Sequence, residues 1–405
     1  MNVLHIHTRD QGGGGAKMVS NINERLNREF EVDSKLIVGY KSTESDSVWE
    51  LDQTLPERAF NRLFENVISF NGLGSFRSFW TQKIIRDNNI DIVHLHNLHG
   101  RYFNFLNVEL IPETTSVVWT FHDIWPMTGG CTHSNDCTKF EASCGSCPEL
   151  ENYPSMEIDT TPILHKLKTN IFNRTNITGV APSQWMVENI DKSRLSVNDI
   201  RHVPNGIDTE MFYPRDRRRS RNHWDIGEDR TVVLFAANNI DNPQKGMQFL
   251  ISALKHLSHS GTGLELLVIG GNAPTLNELP PEYEYISPGY IPQEMLPLAY
   301  SAADLSVVPS KMESFGLVAT ESMACGTPVV AFNVGGLGEQ ITSDTGWLVS
   351  PYDTDQLAST IESALSDEGL LKEKGQNARE RVINKYDIQQ CVDEYRSIYD
   401  DVYGS

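Results

Sequence analysis

The sequence predicts an α/β fold of two doubly wound parallel sheets, and three observations carry that prediction. The chain is 405 residues long, more than one ordinary domain holds. Short apolar runs rich in Val and Ile recur in two series, with helical stretches between them. The two series are separated by Pro204-Asn205-Gly206-Ile207-Asp208, followed by Pro214. Pro, Asn and Gly there interrupt regular structure and mark a linker.

The first series is Val3–Ile6, Leu36–Val38, Ile90–Leu95, Val117–Phe121, Ile177–Ala181 and Ile200–Val203. The second is Val232–Ala236, Leu264–Ile269, Leu305–Pro309 and Val329–Phe332. Runs of this kind fit parallel strands joined by crossover helices. The expected plan is one Rossmann-like unit over 1–204 and a second over 205–385, with a cleft between them. A helix over 386–405 packs back on the first unit in this plan.

The hydrophobic share of 39% and charged share of 22% are those of a soluble globular protein. A net charge of −20 sets up a field that repels polyanions, so no nucleic-acid partner is expected. No apolar run is long enough to span a membrane. The start, MNVLHIHTRDQ, has neither a basic leader nor a long apolar core, so a cytoplasmic address is expected. Arg215, Arg217, Arg218, Arg219 and Arg221 read as a solvated loop at the boundary between units.

Two stretches carry local chemistry. After the first strand comes Gly12-Gly13-Gly14-Gly15, where the backbone can approach a ligand and a helix N-terminus favours anions. A tight turn is the equal alternative. In the second unit a strand ends near Pro309 and a helix begins near Gly316, which aims the amides of Phe315, Gly316 and Leu317 at a phosphate. Glu321, one turn inside that helix, is placed to accept hydrogen bonds from vicinal hydroxyls, and Glu313 lies just before it.

Glu313 and Glu321, seven residues between them with Phe315-Gly316 inside, precede Cys325-Gly326-Thr327-Pro328 and Gly335-Gly336. With Tyr300-Ser301-Ala302-Ala303-Asp304, Thr345-Gly346-Trp347-Leu348-Val349 and the linker Val203–Asp208, this pattern resembles the retaining glycosyltransferase family 4 of GT-B fold. The resemblance covers essentially the whole chain and is densest from 203 to 350. It implies a hexosyltransferase-type enzyme with a nucleotide diphosphate sugar as donor and a glycan or lipid-linked glycan as acceptor. The donor is implied in the C-terminal unit and the acceptor in the N-terminal one.

Carried over residue by residue, the resemblance gives Glu321 the ribose and Glu313 the sugar hydroxyls. Lys245 meets the leaving diphosphate, and Ser314, Phe315, Gly316 and Leu317 the sugar and phosphates. Where the family commonly has an arginine, this chain has Asn238, a donor without charge. His122 of Thr120-Phe121-His122-Asp123 matches the family's histidine at the donor sugar. Gly14 and Gly15 match its glycine loop, and His96, Asn97 and Asp123 fall on the acceptor side. Catalysis in this family needs no bound metal, and retention follows from same-face attack by the acceptor hydroxyl. A nucleotide-sugar epimerase or hydrolase, or an inactive nucleotide-sugar binder, are the alternative readings.

Two further features stand outside that pattern. Cys131, Cys137, Cys144 and Cys147 cluster within an insertion at 129–150, and in a reducing compartment such thiols read as a structural zinc site before disulfides or free thiols. Phe60, Leu63, Phe64, Val67 and Ile68 follow helical spacing, and Phe70, Leu73, Phe76, Phe79 and Trp80 continue the apolar run. Core burial is the usual fate of such a stripe. The surplus of aromatics makes peripheral contact at the inner face of a membrane the second reading.

Overall fold

The computed structural model describes residues 1–51, 53–257, 263–271 and 273–403, and for 66 and 67 the backbone alone. Val67 of the apolar stripe therefore lies outside the described side chains. Two compact units divide the chain: Met1–Val203 with Val392–Ser405, and Pro204–Cys391.

The first unit holds strands β1 (Asn2–Arg9), β2 (Asp33–Tyr40), β3 (Val48–Glu50), β4 (Ile92–Leu95), β5 (Ser116–Thr120), β6 (Ile177–Ala181) and β7 (Asp199–His202). They form one parallel sheet in the order β3-β2-β1-β4-β5-β6-β7. The second unit holds β8 (Thr231–Asn239), β9 (Leu264–Gly271), β10 (Glu284–Gly289), β11 (Leu305–Val308), β12 (Val329–Phe332) and β13 (Gly346–Val349). Its sheet is also parallel, in the order β10-β9-β8-β11-β12-β13.

The interior strands of both sheets are covered on two faces, which is why they are mostly apolar. Along β8, Val232 and Leu234 enter one core while Val233 and Phe235 enter the other. Each sheet reverses its winding once, between β1 and β4 in the first unit and between β8 and β11 in the second. Loops leaving the carboxyl ends of such strand pairs diverge, and the gap they leave is where doubly wound sheets bind ligands.

Three strands go beyond the sequence reading: β3, β10 and β13. All three lie at sheet edges, where one flank lacks a neighbour and a short or polar run suffices. The arginine cluster is corrected. Arg217–His223 is a helix capped by Asp216, whose side chain accepts from the Arg219 amide. Arg221 is buried, with its guanidinium on Asp304 at 2.9 Å and on the carbonyls of Ala302, Gly227, Glu228 and Arg230. Arg217 meets the other oxygen of Asp304 at 2.5 Å. Arg217 and Arg221 therefore tie the start of the second unit to the end of helix Leu296–Ala302, while Arg218 and Arg219 stay exposed.

The apolar stripe is only partly core. Helix Leu55–Val67 opens on a capping box in which Glu57 accepts from the Thr54 amide and hydroxyl. Phe64 stacks on Phe60 and meets Phe70 at a tilt, and Phe70 and Leu73 pack on the core. Leu55, Leu63, Phe76 and Trp80 remain exposed, at 81%, 56%, 61% and 59%. No helix among the described residues is long and apolar enough to cross a membrane.

Helix Ile388–Tyr403 carries the end of the chain. Its Tyr395 and Tyr399 are fully buried in the first unit. Tyr399 bonds His94 Nδ1 at 2.6 Å and Tyr395 bonds the Thr120 hydroxyl at 3.0 Å.

Candidate functional site

In the second unit the site grows from the loops after β8 and β11, the pair that flanks the reversal. Lys245 follows β8 and Glu313 follows β11, 68 residues apart, and their side chains form an ion pair at 2.6 Å. Glu313 also accepts from the Ser310 hydroxyl at 3.0 Å. Two glycines permit this convergence. Gly246 holds φ +78°, and a Cβ there would sit 1.8 Å from the Pro309 carbonyl oxygen. Gly335 holds φ +52°, and its Cβ would sit 1.9 Å from the Glu313 carbonyl oxygen. Only a residue without a side chain lets three loops meet so closely.

Helix Leu317–Ala324 begins immediately after, with Gly316 as its N-cap. The Phe315 carbonyl is held by the Gln340 side chain at 2.6 Å, and Gly336 donates to the Glu313 carbonyl at 2.9 Å. Ser314, Phe315, Gly316 and Leu317 thus form a braced turn at a helix N-terminus. Glu321 is buried, and the hydroxyl of buried Tyr300 donates to it at 2.8 Å. That burial, with the charge of Glu321, holds the Tyr300 phenol well above its usual range. Asn238 lies exposed near the end of β8.

The first unit presents a different surface, made of histidines. His5 and His94 face each other in register on β1 and β4. His96 and His122 follow β4 and β5. His5 Nδ1 bonds His96 Nε2 at 3.0 Å, and His96 Nδ1 bonds His122 Nε2 at 3.0 Å. Burial lowers the pKa of His5 to about 3 and of His122 to about 4, and drops His94 and His96 well below the usual value. Gly15 belongs to the same surface: a Cβ there would meet His7 Nε2 at 3.4 Å, and Asn97 and His122 at 3.9 Å. Gly14 opens the helix Gly14–Glu29.

Asp123 turns elsewhere. It accepts from His99 Nε2 at 2.8 Å and from the Trp125 amide at 2.9 Å. Burial works to raise its pKa, yet these two partners outweigh it and hold the carboxylate below its usual range. Asp123 thus braces the loop after β5.

The four clustered cysteines carry free thiols. Burial pushes Cys131 up to about 12 and raises Cys144 and Cys147. Among the described residues, the group of three or more ligand atoms within 4.8 Å of one another is His5, His94 and His96, and the thiols are not drawn into such a set. The His94 and His96 rings are in contact and tilted, centroids 4.0 Å apart. Both ring nitrogens of His94 are engaged by hydroxyls, those of Tyr399 and Thr120.

Tyr300, Ser310 and His5 are the site residues the sequence reading left unassigned. Tyr300 stood within a quoted motif. His5 was signalled by the repeat of His5-Ile6-His7 in His94-Leu95-His96, which neighbouring parallel strands bring level.

Two family profiles match the chain: that of the glycosyl transferases group 1 over residues 216–381, and that of glycosyltransferase family 4 over residues 12–211. The N-acetyl-alpha-D-glucosaminyl L-malate synthase of Bacillus anthracis is 27% identical over 330 residues, covering 79% of this chain and 77% of that protein. The putative colanic acid biosynthesis glycosyl transferase WcaC of Escherichia coli K12 is 24% identical over 426 residues, covering 98% of this chain and 99% of its own. Among solved structures, that of HepE from Anabaena in complex with UDP and glucose aligns with a TM-score of 0.69 at 15% identity. The alignment covers 98% of this chain and 99% of that one. The likeness is one of fold, the GT-B fold.

Proposed function

The chain belongs to glycosyltransferase family 4, a transferase acting on sugars, and we propose that it is a retaining enzyme whose donor is a nucleotide diphosphate sugar and whose acceptor is a glycan or lipid-linked glycan. The observation that carries this reading is the Lys245–Glu313 pair beside the N-terminus of helix Leu317–Ala324. An entering diphosphate competes for Lys245, and the transferred sugar offers hydroxyls to Glu313, so the donor replaces the ion pair with two contacts of its own. Lys245 and the amides of Phe315, Gly316 and Leu317 stabilise the charge that grows on the leaving diphosphate. Glu321, oriented by Tyr300, takes the ribose hydroxyls. Ser314 and Asn238 complete the polar lining.

On the first unit, His122 faces the transferred sugar, Gly14 and Gly15 let the backbone approach, and His96, Asn97 and Asp123 shape the acceptor side. The acceptor hydroxyl attacks the face that the diphosphate leaves, which preserves the anomeric configuration. Two related proposals concern the surroundings. The exposed apolar face of helix Leu55–Val67, with Phe76 and Trp80, meets the membrane that holds a lipid-linked acceptor. A structural zinc would need Cys131, Cys137, Cys144 and Cys147 to draw together. Metal analysis of the purified chain tests that, and zinc-free protein with four titratable thiols excludes it.

The transferase reading is tested by offering a panel of nucleotide diphosphate sugars with and without candidate acceptor glycans. Acceptor-dependent release of the nucleotide diphosphate, lost in Lys245→Ala and Glu321→Ala proteins that still fold, is the expected result. Full turnover by both variants overturns the assignment, and donor turnover indifferent to any acceptor turns it into a hydrolase or epimerase.

A further inference from the structure

The histidines of the first unit form a chain, and the order of its links fixes more than position. Each neutral imidazole carries one proton, so two adjoining His–His hydrogen bonds permit two concerted arrangements. In one, His122 Nε2–H donates inward to His96, His96 Nε2–H donates to His5, and the His5 proton ends on Nε2. In the other, His5 Nδ1–H donates to His96, His96 Nδ1–H donates to His122 Nε2, and the His122 proton is left on Nδ1. The end of the chain chooses between them. His5 Nε2 is buried with no hydrogen-bond partner. A buried N–H without an acceptor is rarer in proteins than a lone pair without a donor, so the second arrangement prevails.

We infer that His5 and His96 are positioning residues that hold His122 as a neutral ring protonated on Nδ1, a hydrogen-bond donor rather than a base. His122 is half-buried, and its Nδ1 has no partner among the described residues, so that N–H is presented outward. It suits an acceptor oxygen of uncharged chemistry, such as a sugar hydroxyl or ring oxygen. The His96 and His7 rings stand against His122, and the charge of Asp123 next to it in sequence acts on it without a hydrogen bond. Asp123 already accepts from His99. His94 is locked separately, between Tyr399 and Thr120 at 2.6 and 2.8 Å, so it stacks on the chain without joining it.

This inference rests on the proposed role of His122 at the transferred sugar, and the experiment separates the two. The full chain, labelled with nitrogen-15 at histidine, is examined by long-range proton–nitrogen NMR between about pH 6 and about pH 8. The expected result is a protonated Nδ1 and a bare Nε2 on both His122 and His96, unchanged across that range. A His122 protonated on Nε2, or charged within it, overturns the inference. A second readout uses His96→Ala, which admits water beside His122. The variant is expected to lose about tenfold to about a hundredfold in kcat/KM. It is also expected to gain an acid limb, its inflection moved towards the ordinary histidine value of about 6.5. An unaltered pH profile in that variant also overturns it. If the tautomers are as stated but UDP-glucose and the other nucleotide sugars leave the His122 signals unmoved, the chain of histidines stands and the placement of His122 at the sugar falls.

Discussion

The two units meet chemistry in opposite ways. The second unit gathers formal charge at the ends of β8 and β11, where Lys245 and Glu313 pair at 2.6 Å beside a helix N-terminus. The first unit gathers five histidines at the ends of β1, β4 and β5, and burial lowers the pKa of each. Both sites sit where the winding of a sheet reverses, so topology chose the location and side-chain chemistry chose the role. A charged site suits a ligand whose charge changes during reaction, as a leaving diphosphate does. A neutral, hydrogen-bonded one suits sugar hydroxyls, which stay uncharged and need orientation.

That contrast can be broken at several points. The largest effect is expected at Lys245: Lys245→Ala should lower kcat about a hundredfold or more, while its thermal unfolding stays near that of the parent. A merely structural ion pair would reverse those two outcomes. Next comes pH, which should act on the first unit. Burial pushes Glu65 up to about 7, against the stabilising pull of the Gly72 amide and nearby Arg101. With the folded pKa raised, this contribution to stability is complete below the unfolded value, 4.5, and is lost as pH rises through about 7. The loss amounts to about 3 kcal/mol at most. Unfolding of the parent and of Glu65→Gln, followed over that range, should show the dependence in the parent and a flatter profile in the variant.

A smaller effect is expected at Tyr300. Tyr300→Phe removes the hydrogen bond to Glu321 and should weaken donor binding by about 1.5 kcal/mol, read as a raised KM at nearly constant kcat. An equal fall in kcat would place Tyr300 in the reaction itself rather than in binding. The smallest is at the exposed apolar face, where Phe76→Ser with Trp80→Ser should reduce flotation on liposomes without altering turnover of a soluble acceptor. Flotation unaffected by the pair dismisses a membrane role for that face.

The interior strands were legible in the sequence because burial on both faces favours runs of apolar residues. β11 reads Leu-Ser-Val-Val and β12 Val-Val-Ala-Phe, every residue buried. β3, β10 and β13 were not, because an edge strand needs only one hydrogen-bonded neighbour. The Glu313–Glu321 stretch was legible because it is local, a strand end followed by a turn and a helix. The partners of those carboxylates were not, since Lys245 and Tyr300 reach them across 68 and 21 residues. The arginine cluster shows the same limit. Charge density along the chain says solvent, whereas Arg221 is buried on Asp304, 83 residues away.

The closing helix of the chain carries a consequence for synthesis. Tyr395 and Tyr399 supply hydrogen bonds to Thr120 and His94, which were translated 275 and 305 residues earlier. The unit begun first on the ribosome is thus finished last, after the whole of the second unit has emerged. Until then the outer face of His94 stands open, and a chain cut short before Val392 would carry a complete second unit attached to a first unit that never closes.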